Sequence, residues 1–424
     1  MTIKFYTLGC KVNQYDTQSI RERFLRAGFR ELFNGQAADF CLVNSCAVTS
    51  TAQSKSIRLI GRLRRENPRA RIILTGCLAE KDAPRLSGAI KRADAVISRR
   101  FFSGPGGITG FCGHSRAFVK IEDGCDKFCA YCYVPYLRGR VVSRPIKDVV
   151  CEVNGLVRRG FREVVLCGIC LGRYGPGRDM GAACVPRKGG AGWLVELIGE
   201  LEKIAGLWRI RLSSLEPEDV GGELIAKIAS SAKLCRHIHL PLQSGDAAVL
   251  KKMRRRYTPQ QYLALVRRLR RAIPLLAITT DVIVGFPAED EEAFVNTLRL
   301  VEQVEPLKAH IFPYSRREGT FAAREFSPRQ ELPAATMKRR LARLRQLADR
   351  CSMSYRRRFL GRKVQVLVEG PCPGQAGMSQ GRTDTYMRVV FPSQAPGEKN
   401  TMRSVVINEI GEDYCRGTQI MLQN

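Results

Sequence analysis

Cys125, Cys129 and Cys132 put three thiols within eight residues, in the run IEDGCDKFCAYCYVPYLRGR. The run follows directly on a predicted strand, Ala117–Ile121. In a parallel α/β unit a loop at that point lies on the C-terminal face of the strands, where functional groups collect. Thiolates at these spacings can wrap one iron–sulfur cube, and three ligands for four irons leave one iron open. Zinc and three buried thiols are the other readings, although a structural zinc wants four protein ligands. Phe128, Tyr131 and Tyr133 are expected to shield this loop from solvent. The chain holds sixteen cysteines, and Met1–Cys10 shows strand-like alternation without a charged-then-apolar leader. That combination predicts metal or redox chemistry in the cytoplasm over a secreted disulfide scaffold.

A second set of cysteines is scattered in sequence but alike in setting. Cys10 closes Phe5-Tyr-Thr-Leu-Gly9, Cys46 closes Leu42-Val-Asn-Ser45, and Cys77 closes Ile72-Ile-Leu-Thr-Gly76. Each stands at the end of a predicted strand. The ends of parallel strands share one edge, so three distant thiols can converge there. Gly9 and Gly76 would let backbone approach a bulky ligand. One buried cysteine per strand is the plainer reading, and the repeated position weakens it.

Patterning divides the 424 residues into three regions, as the length suggests. Residues 1–98 alternate strands (Lys4–Gly9, Phe40–Ser45, Arg71–Gly76) with helical stretches (Asp16 to Phe33, Thr51 to Glu66), which predicts a parallel-sheet α/β domain. Residues 99–116 form a Gly-rich linker. Residues 117–355 carry six strand–helix units, a partial (β/α)6 barrel or wound sheet, interrupted by a Gly-rich stretch at Tyr174–Gly192. Residues 360–424 hold four short β-rich runs (Lys363–Val368, Tyr386–Phe391, Ser404–Ile407, Gln419–Leu422), which suit a small antiparallel barrel. Truncation after about Gly361 is expected to leave the first two regions folded. No apolar run is long enough to span a membrane.

The cysteine run resembles the signature of the radical S-adenosylmethionine enzymes. YTLGCKVNQYDT, LVNSCAVT and LTGCLAE resemble the three auxiliary-cluster motifs of the methylthiotransferase branch of that family. The likeness continues through RIRLSSLEPEDV, HIHLPLQSGD, MRRRYT, ITTDVIVGFPAEDEEAF and FPYSRREGT, and the last region resembles the TRAM RNA-binding domain. YTLGCKVNQYDT and SSLEPEDV resemble most the tRNA N6-threonylcarbamoyladenosine methylthiotransferases. The resemblance implies two 4Fe–4S clusters, one on Cys10, Cys46 and Cys77, the other on Cys125, Cys129 and Cys132. It implies that S-adenosylmethionine binds the open iron and is cleaved there to a 5′-deoxyadenosyl radical. It further implies methylthiolation at carbon 2 of threonylcarbamoyladenosine at adenosine-37 of tRNA. One S-adenosylmethionine would methylate sulfur on the auxiliary cluster, and a second would give the radical that removes the carbon-2 hydrogen. The partners implied are a tRNA anticodon stem-loop, an electron donor and a sulfur source. The competing readings are isopentenyl-adenosine in tRNA, a ribosomal-protein aspartate, and a non-catalytic iron–sulfur RNA-binding protein.

Residues at strand ends are the expected S-adenosylmethionine contacts: Ser213, Ser214 and Glu216, then Gln243, and Asp281, Gly285 and Pro287 of a run resembling the family's adenine-side motif. His237 and His239 share one strand face with no third ligand in view, which favours core histidines over metal ligands. Cys167 and Cys170 look like a redox pair, yet packing is the favoured reading; Cys184 has no assigned role. Lysine and arginine total 70 against 40 acids, a charge of +30, and the cheapest explanation is a polyanionic partner. Nine of the basic residues fall between Lys338 and Arg358 with one acid, on a predicted amphipathic helix. With the last region they would form a track for tRNA phosphates.

Overall fold

A computed structural model of the chain describes residues 1–33, 36–80, 92–102, 106–175, 191–393 and 398–420. Cys184 and most of the Gly-rich stretch at Tyr174–Gly192 lie outside the described residues.

The first unit runs β1 (Thr2–Thr7), α1 (Lys11–Arg26), β2 (Arg30–Glu31), β3 (Phe40–Ser45), α2 (Ser50–Glu66), β4 (Arg71–Gly76) and β5 (Ala95–Val96). Its five strands form one parallel sheet in the order β2-β1-β3-β4-β5. Alternation decides which side each residue covers. Ile3, Leu42 and Ile73 pack with Ile20 of α1 on one face. Cys41, Val43, Ile72 and Leu74 pack with Ile60 and Leu63 of α2 on the other. A parallel sheet covered on both faces explains why these strands read as almost unbroken apolar runs. Helix α1 starts at Lys11, five residues before the expected Asp16, and the chain forms β2 where the helix was expected to continue. Cys10 is its N-cap and makes no side-chain cap, so its thiol is left for other work.

The second unit holds β6 (Arg116–Lys120), β9 (Glu163–Cys167), β10 (Arg209–Leu212), β11 (His237–His239), β12 (Ala277–Val284) and β13 (Lys308–Pro313). They form two three-stranded parallel sheets, joined by single bridges from Ile210 to Leu234 and from Ser214 to His239. The result is an open arc of six parallel strands in chain order, the partial barrel. Its outer face is covered by α4 (Ile146–Arg158), α5 (Gly192–Glu202), α6 (Gly222–Ser230), α8 (Pro259–Ala272) and α9 (Glu291–Val304). Thr258 and Gln261 close a capping box on α8, with Pro259 in its first turn. The loop of the cysteine run, which includes the short α3 (Val134–Arg138), is clasped at its base by an antiparallel pair, β7 (Glu122–Asp123) with β8 (Val142–Ser143).

The third unit is a closed barrel, β14 (Lys363–Pro371), β15 (Met378–Thr383), β16 (Arg388–Pro392), β17 (Met402–Ile410) and β18 (Cys415–Gln419). It differs from expectation in three ways. β18 ends where the expected run Gln419–Leu422 begins, and residues 421–422 lie outside the described residues. β15, rich in polar residues and Gly, was not visible as a strand, and the pair β16–β18 is parallel.

This unit is not a free appendage. Arg209 donates to the carbonyls of Gln365 and Arg382, at 2.6 and 2.9 Å. Arg211, 2 % exposed, donates to those of Thr383 and Asp384 and pairs with buried Glu163 at 2.8 Å. Tyr386 stacks on His237 at 4.8 Å and lies under Arg211. The turn after β15 thus plugs the N-terminal mouth of the arc. Truncation at Gly361 would strip the carbonyl partners of two buried guanidinium groups and leave both to Glu163 alone, against the expectation of an independent second region. Helix α11 (Ala334–Arg357) connects the two units, and its Tyr355 lies in the shared core with Val366, Val389 and Phe391. No helix among the described residues is long and apolar enough to cross a membrane.

Candidate active site

The loop triad sits at the C-terminal mouth of the arc. The Cys125 N–H donates to the Gly139 carbonyl at 3.0 Å, and the Cys132 N–H to that of Cys129 at 3.0 Å. Ala130 between them is tied to Met253 and Ala322 by backbone bonds of 3.0 and 2.7 Å. The Arg255 Nη1 donates to Cys129 Sγ at 3.3 Å, and Arg255 is itself held by an ion pair with Glu216. Burial pushes the Cys129 and Cys132 thiols up, whereas a hydrogen bond from Cys170 pulls Cys125 down. Tyr131 and Tyr133 are half-buried, but Phe128 stands exposed and packs edge-on against Tyr136, so it does not shield the loop as expected.

The strand-end triad gathers above it. Cys46 and Cys77 are buried and Cys10 is exposed. Gly9 has φ +103°, and a Cβ there would lie 2.9 Å from the Cβ of Cys46 and 3.0 Å from its sulfur. Only glycine lets the end of β1 come that close. Burial pushes the Cys46 thiol up to about 11, with the neighbouring thiols of Cys77 and Cys10 adding to the rise. Asn13, buried at the start of α1, donates to the carbonyls of Leu8 and Ser45 at 2.8 and 3.0 Å, and so pins two strand ends together.

Arg138 links the triads. It belongs to α3, in the loop of the first triad, and its Nη2 lies 3.6 Å from Cys77 Sγ in the second. It is 4 % exposed, donates to Asp123 at 2.8 Å and bonds Asn13. Cys167 and Cys170 lie on one turn between the triads. The thiol of Cys167 is raised by burial and then by the nearby Cys10, while Cys170 bonds Cys125. Arg317, after β13, donates to the Ala47 carbonyl and to Gln53 at 2.6 Å each, closing the first unit over the far side of the arc. Sequence reasoning missed Arg138, Arg255 and Arg317; each lies in a run already singled out, but nothing local marks one arginine among many.

Ser213, Glu216, Gln243, Gly285 and Pro287 lie at the ends of β10, β11 and β12, around the same mouth. Ser213 Oγ is buried without a partner among the described residues, as a ligand-facing hydroxyl would be. Ser214 bridges to His239 in the sheet. Asp281 lies four residues below Gly285 inside β12, and its side chain pairs with His239 at 3.2 Å. His310 of β13 completes this group; one ligand atom from each of His239, Asp281 and His310 lies within 4.8 Å of the others. His237 is no part of this group and is buried, as a core histidine would be, and the spacing of His237 and His239 could not reveal Asp281 and His310 as partners of His239.

A cavity of about 570 Å³ at the seam of the first two units is lined by Tyr15, Asp16, Lys120, Asp123 and Arg138, among others, but by no cysteine.

Residues 2–98 match Uncharacterized protein family UPF0004, and residues 119–301 match the Radical SAM superfamily. The chain is 36 % identical to a threonylcarbamoyladenosine tRNA methylthiotransferase of Chlamydia pneumoniae, over 98 % of this chain and 97 % of that protein. It is 35 % identical to one of Thermotoga maritima, over 99 % and 98 %. This chain belongs to the radical S-adenosylmethionine methylthiotransferases. Methylthiotransferases named for another substrate are also similar: a tRNA-2-methylthio-N6-dimethylallyladenosine synthase of Desulfitobacterium hafniense is 34 % identical over 91 % of this chain and 90 % of its own. The fold of this methylthiotransferase is similar to that of a radical S-adenosylmethionine methyltransferase of Kitasatospora setae, solved with cobalamin and a 4Fe–4S cluster. That likeness has a TM-score of 0.51 at 14 % identity, over 76 % of this chain and 74 % of that one. As a radical S-adenosylmethionine methylthiotransferase, the enzyme uses a 4Fe–4S cluster and S-adenosylmethionine.

Proposed function

We propose that this enzyme places a methylthio group on carbon 2 of N6-threonylcarbamoyladenosine beside the tRNA anticodon. The observation that carries the reading is full-length similarity to relatives so named, together with two cysteine triads facing one mouth. Cys125, Cys129 and Cys132 would hold the cluster that leaves one iron open, and Cys10, Cys46 and Cys77 a second, auxiliary cluster. When bound, these groups and S-adenosylmethionine supply the sulfur, the methyl group and the radical. The chain itself orients and encloses. Arg255 and Arg138 donate to one thiol of each triad and hold both loops in place. Ser213, Ser214, Glu216, Gln243, Gly285, Pro287 and the backbone of Asp281 would hold S-adenosylmethionine around the strand ends.

The domain reading follows the same lines: an auxiliary-cluster unit over residues 1–98, a linker over 99–116, a radical unit over 117–355, and a TRAM-like RNA-binding unit over 360–424. Of the nine basic residues from Lys338 to Arg358, four are tied to other groups of the chain, two of them at the surface. Arg340 and Arg343 pair with acids at Glu289–Glu291, Arg358 pairs with Glu305, and Arg356 donates to carbonyls of residues 411–414. Lys338, Arg339, Arg345, Arg350 and Arg357 are exposed with no ion pair among the described residues, and they remain for tRNA phosphates. The electron donor and sulfur source come from outside the chain.

Methylthiolation of isopentenyl-adenosine is the second reading, because relatives with that name are 34–35 % identical. Mass spectrometry of tRNA nucleosides from cells with and without this protein tests the choice. Loss of 2-methylthio-threonylcarbamoyladenosine with build-up of its unthiolated precursor is expected. Loss of the isopentenyl derivative in its place would overturn it.

A further inference from the structure

The inner face of the arc gathers three ligand-bearing side chains that the cysteine chemistry leaves unused. In register, His239 pairs with Thr279 and Asp281 with His310. Asp281 is two residues beyond Thr279, so His239, Thr279, Asp281 and His310 share one face of the sheet. Ile238, Ile278 and Val282 on the opposite face belong to the core beneath the helices. The polar face therefore looks into the lumen. Gly285, at the mouth, is four residues beyond Asp281. That is about 13 Å of extended strand, so the group is set apart from the strand ends where S-adenosylmethionine would bind.

The donor atoms are close together. One ligand atom from each of His239, Asp281 and His310 lies within 4.8 Å of the other two. His239 Nε2 and Asp281 Oδ2 are 3.2 Å apart, a spacing that two ligands take on one ion with bonds of about 2.0–2.2 Å. Nδ1 of His239 lies 2.9 Å from Thr279 Oγ1. A ligating imidazole commonly has such a partner on its other nitrogen, which fixes the ring. Asp281 is half-buried, and its one ion-pair partner among the described residues is His239, with no lysine or arginine beside it. His310 is exposed and makes no hydrogen bond among the described residues. An ion pair between His239 and Asp281 accounts for two of the three side chains. It does not account for a second imidazole converging on them from the next strand.

We propose that His239, Asp281 and His310 bind a divalent transition-metal ion inside the arc. Two imidazoles and one carboxylate suit zinc, iron(II) or manganese better than calcium or magnesium, which take oxygen ligands. Three protein ligands leave positions open toward the lumen for water or a substrate atom. The expectation of core histidines then holds for His237 and fails for His239. The site does not depend on which adenosine is the substrate.

Manganese is the probe, because it takes imidazole and carboxylate ligands and competes poorly for thiolates. Full-length protein with reconstituted clusters is desalted and titrated with manganese chloride in the absence of RNA. The electron paramagnetic resonance signal of free manganese counts the ions bound. The wild type should hold one ion per chain, and zinc should displace it, as the order of divalent affinities requires. His310→Ala and Asp281→Asn should each lose that ion. Thr279→Val should weaken binding about tenfold. Glu302→Gln, at an exposed acid of α9, should leave it unchanged. Iron content and circular dichroism check the clusters and the fold of each variant. His310→Ala, at an exposed side chain without hydrogen bonds, is the change least able to disturb either. X-ray absorption of the bound zinc should show nitrogen and oxygen neighbours only. A wild type that holds no ion, an ion kept by both His310→Ala and Asp281→Asn, or sulfur around the zinc would each overturn the proposal.

Discussion

The two cysteine triads are built by opposite means. Cys125, Cys129 and Cys132 share one short loop, clasped at its base by β7 and β8, so their relative positions are almost wholly local. Cys10, Cys46 and Cys77 come from three strand ends, and converge only because β1, β3 and β4 pair in parallel and in register. A local triad tolerates disturbance elsewhere in the molecule. A convergent triad depends on every contact that holds the strand ends level, including Gly9 and Asn13. The two should therefore fail differently.

The largest expected effect is the contrast between their cysteines. Cys125→Ala should end both 5′-deoxyadenosine formation and methylthiolation. Cys46→Ala should lose about half the iron, keep reductive cleavage of S-adenosylmethionine and make no methylthio product, if each triad holds one cube. Iron assay, deoxyadenosine by chromatography and tRNA nucleoside mass spectrometry read all three. Full iron and continued thiolation in Cys46→Ala would reduce the strand-end cysteines to packing.

Arg138 tests the bridge between the triads. Arg138→Met leaves half-buried Asp123 with Arg99 and Lys120 as its remaining partners and removes the donor to Cys77. Because Asp123 keeps two cations, the loss should stay below about 3–5 kcal/mol, the cost of stranding a fully buried charge. Chemical denaturation should show that loss, and the iron lost first should be that of the strand-end triad.

A smaller change should separate the triads without touching a ligand. Gly9→Ala places a Cβ against Cys46 at a φ that L-residues resist, at a cost of about 1–2 kcal/mol. Iron should fall toward half while deoxyadenosine formation persists. Equal loss from both triads would mean that they are not independently built.

The smallest effect concerns the basic helix far from either triad. Replacing exposed Arg345 or Arg350 with Gln should leave iron content unchanged. If that residue contacts a phosphate, the salt dependence of tRNA binding should become shallower by about 0.7–0.9 log units. Arg340→Gln, which breaks the pair with Glu289, should instead lower stability, because that charge is spent inside the protein.

Local pattern was enough for the architecture. Phe40–Ser45, Arg71–Gly76 and Glu163–Cys167 are strands over the residues that their apolar runs mark. Thr258-Pro259 starts a helix where side-chain chemistry says it should. These signals lie within a few residues of what they specify. The errors fell where local preference is weak. β15 (MSQGRT) has little β-propensity and is a strand because barrel closure pairs it on both sides. The end of α1 yields to β2 because β1 offers an open edge.

By itself, the sequence determined the strand-and-helix order, the loop that holds three thiols at cluster spacing, and the placing of three more at strand ends. Each depends on residues close in the chain, where periodicity and turn chemistry act. The tertiary structure alone decided that Arg138 of one triad's loop reaches a thiol of the other, and that the Cys167–Cys170 turn lies between them. It also decided that Tyr386 plugs the arc from below, and that His239, Asp281 and His310 meet on one face of the sheet. These pairs are separated by 29 to 175 residues along the chain. Their meeting follows from strand register and from how the units dock, which no short stretch of sequence encodes.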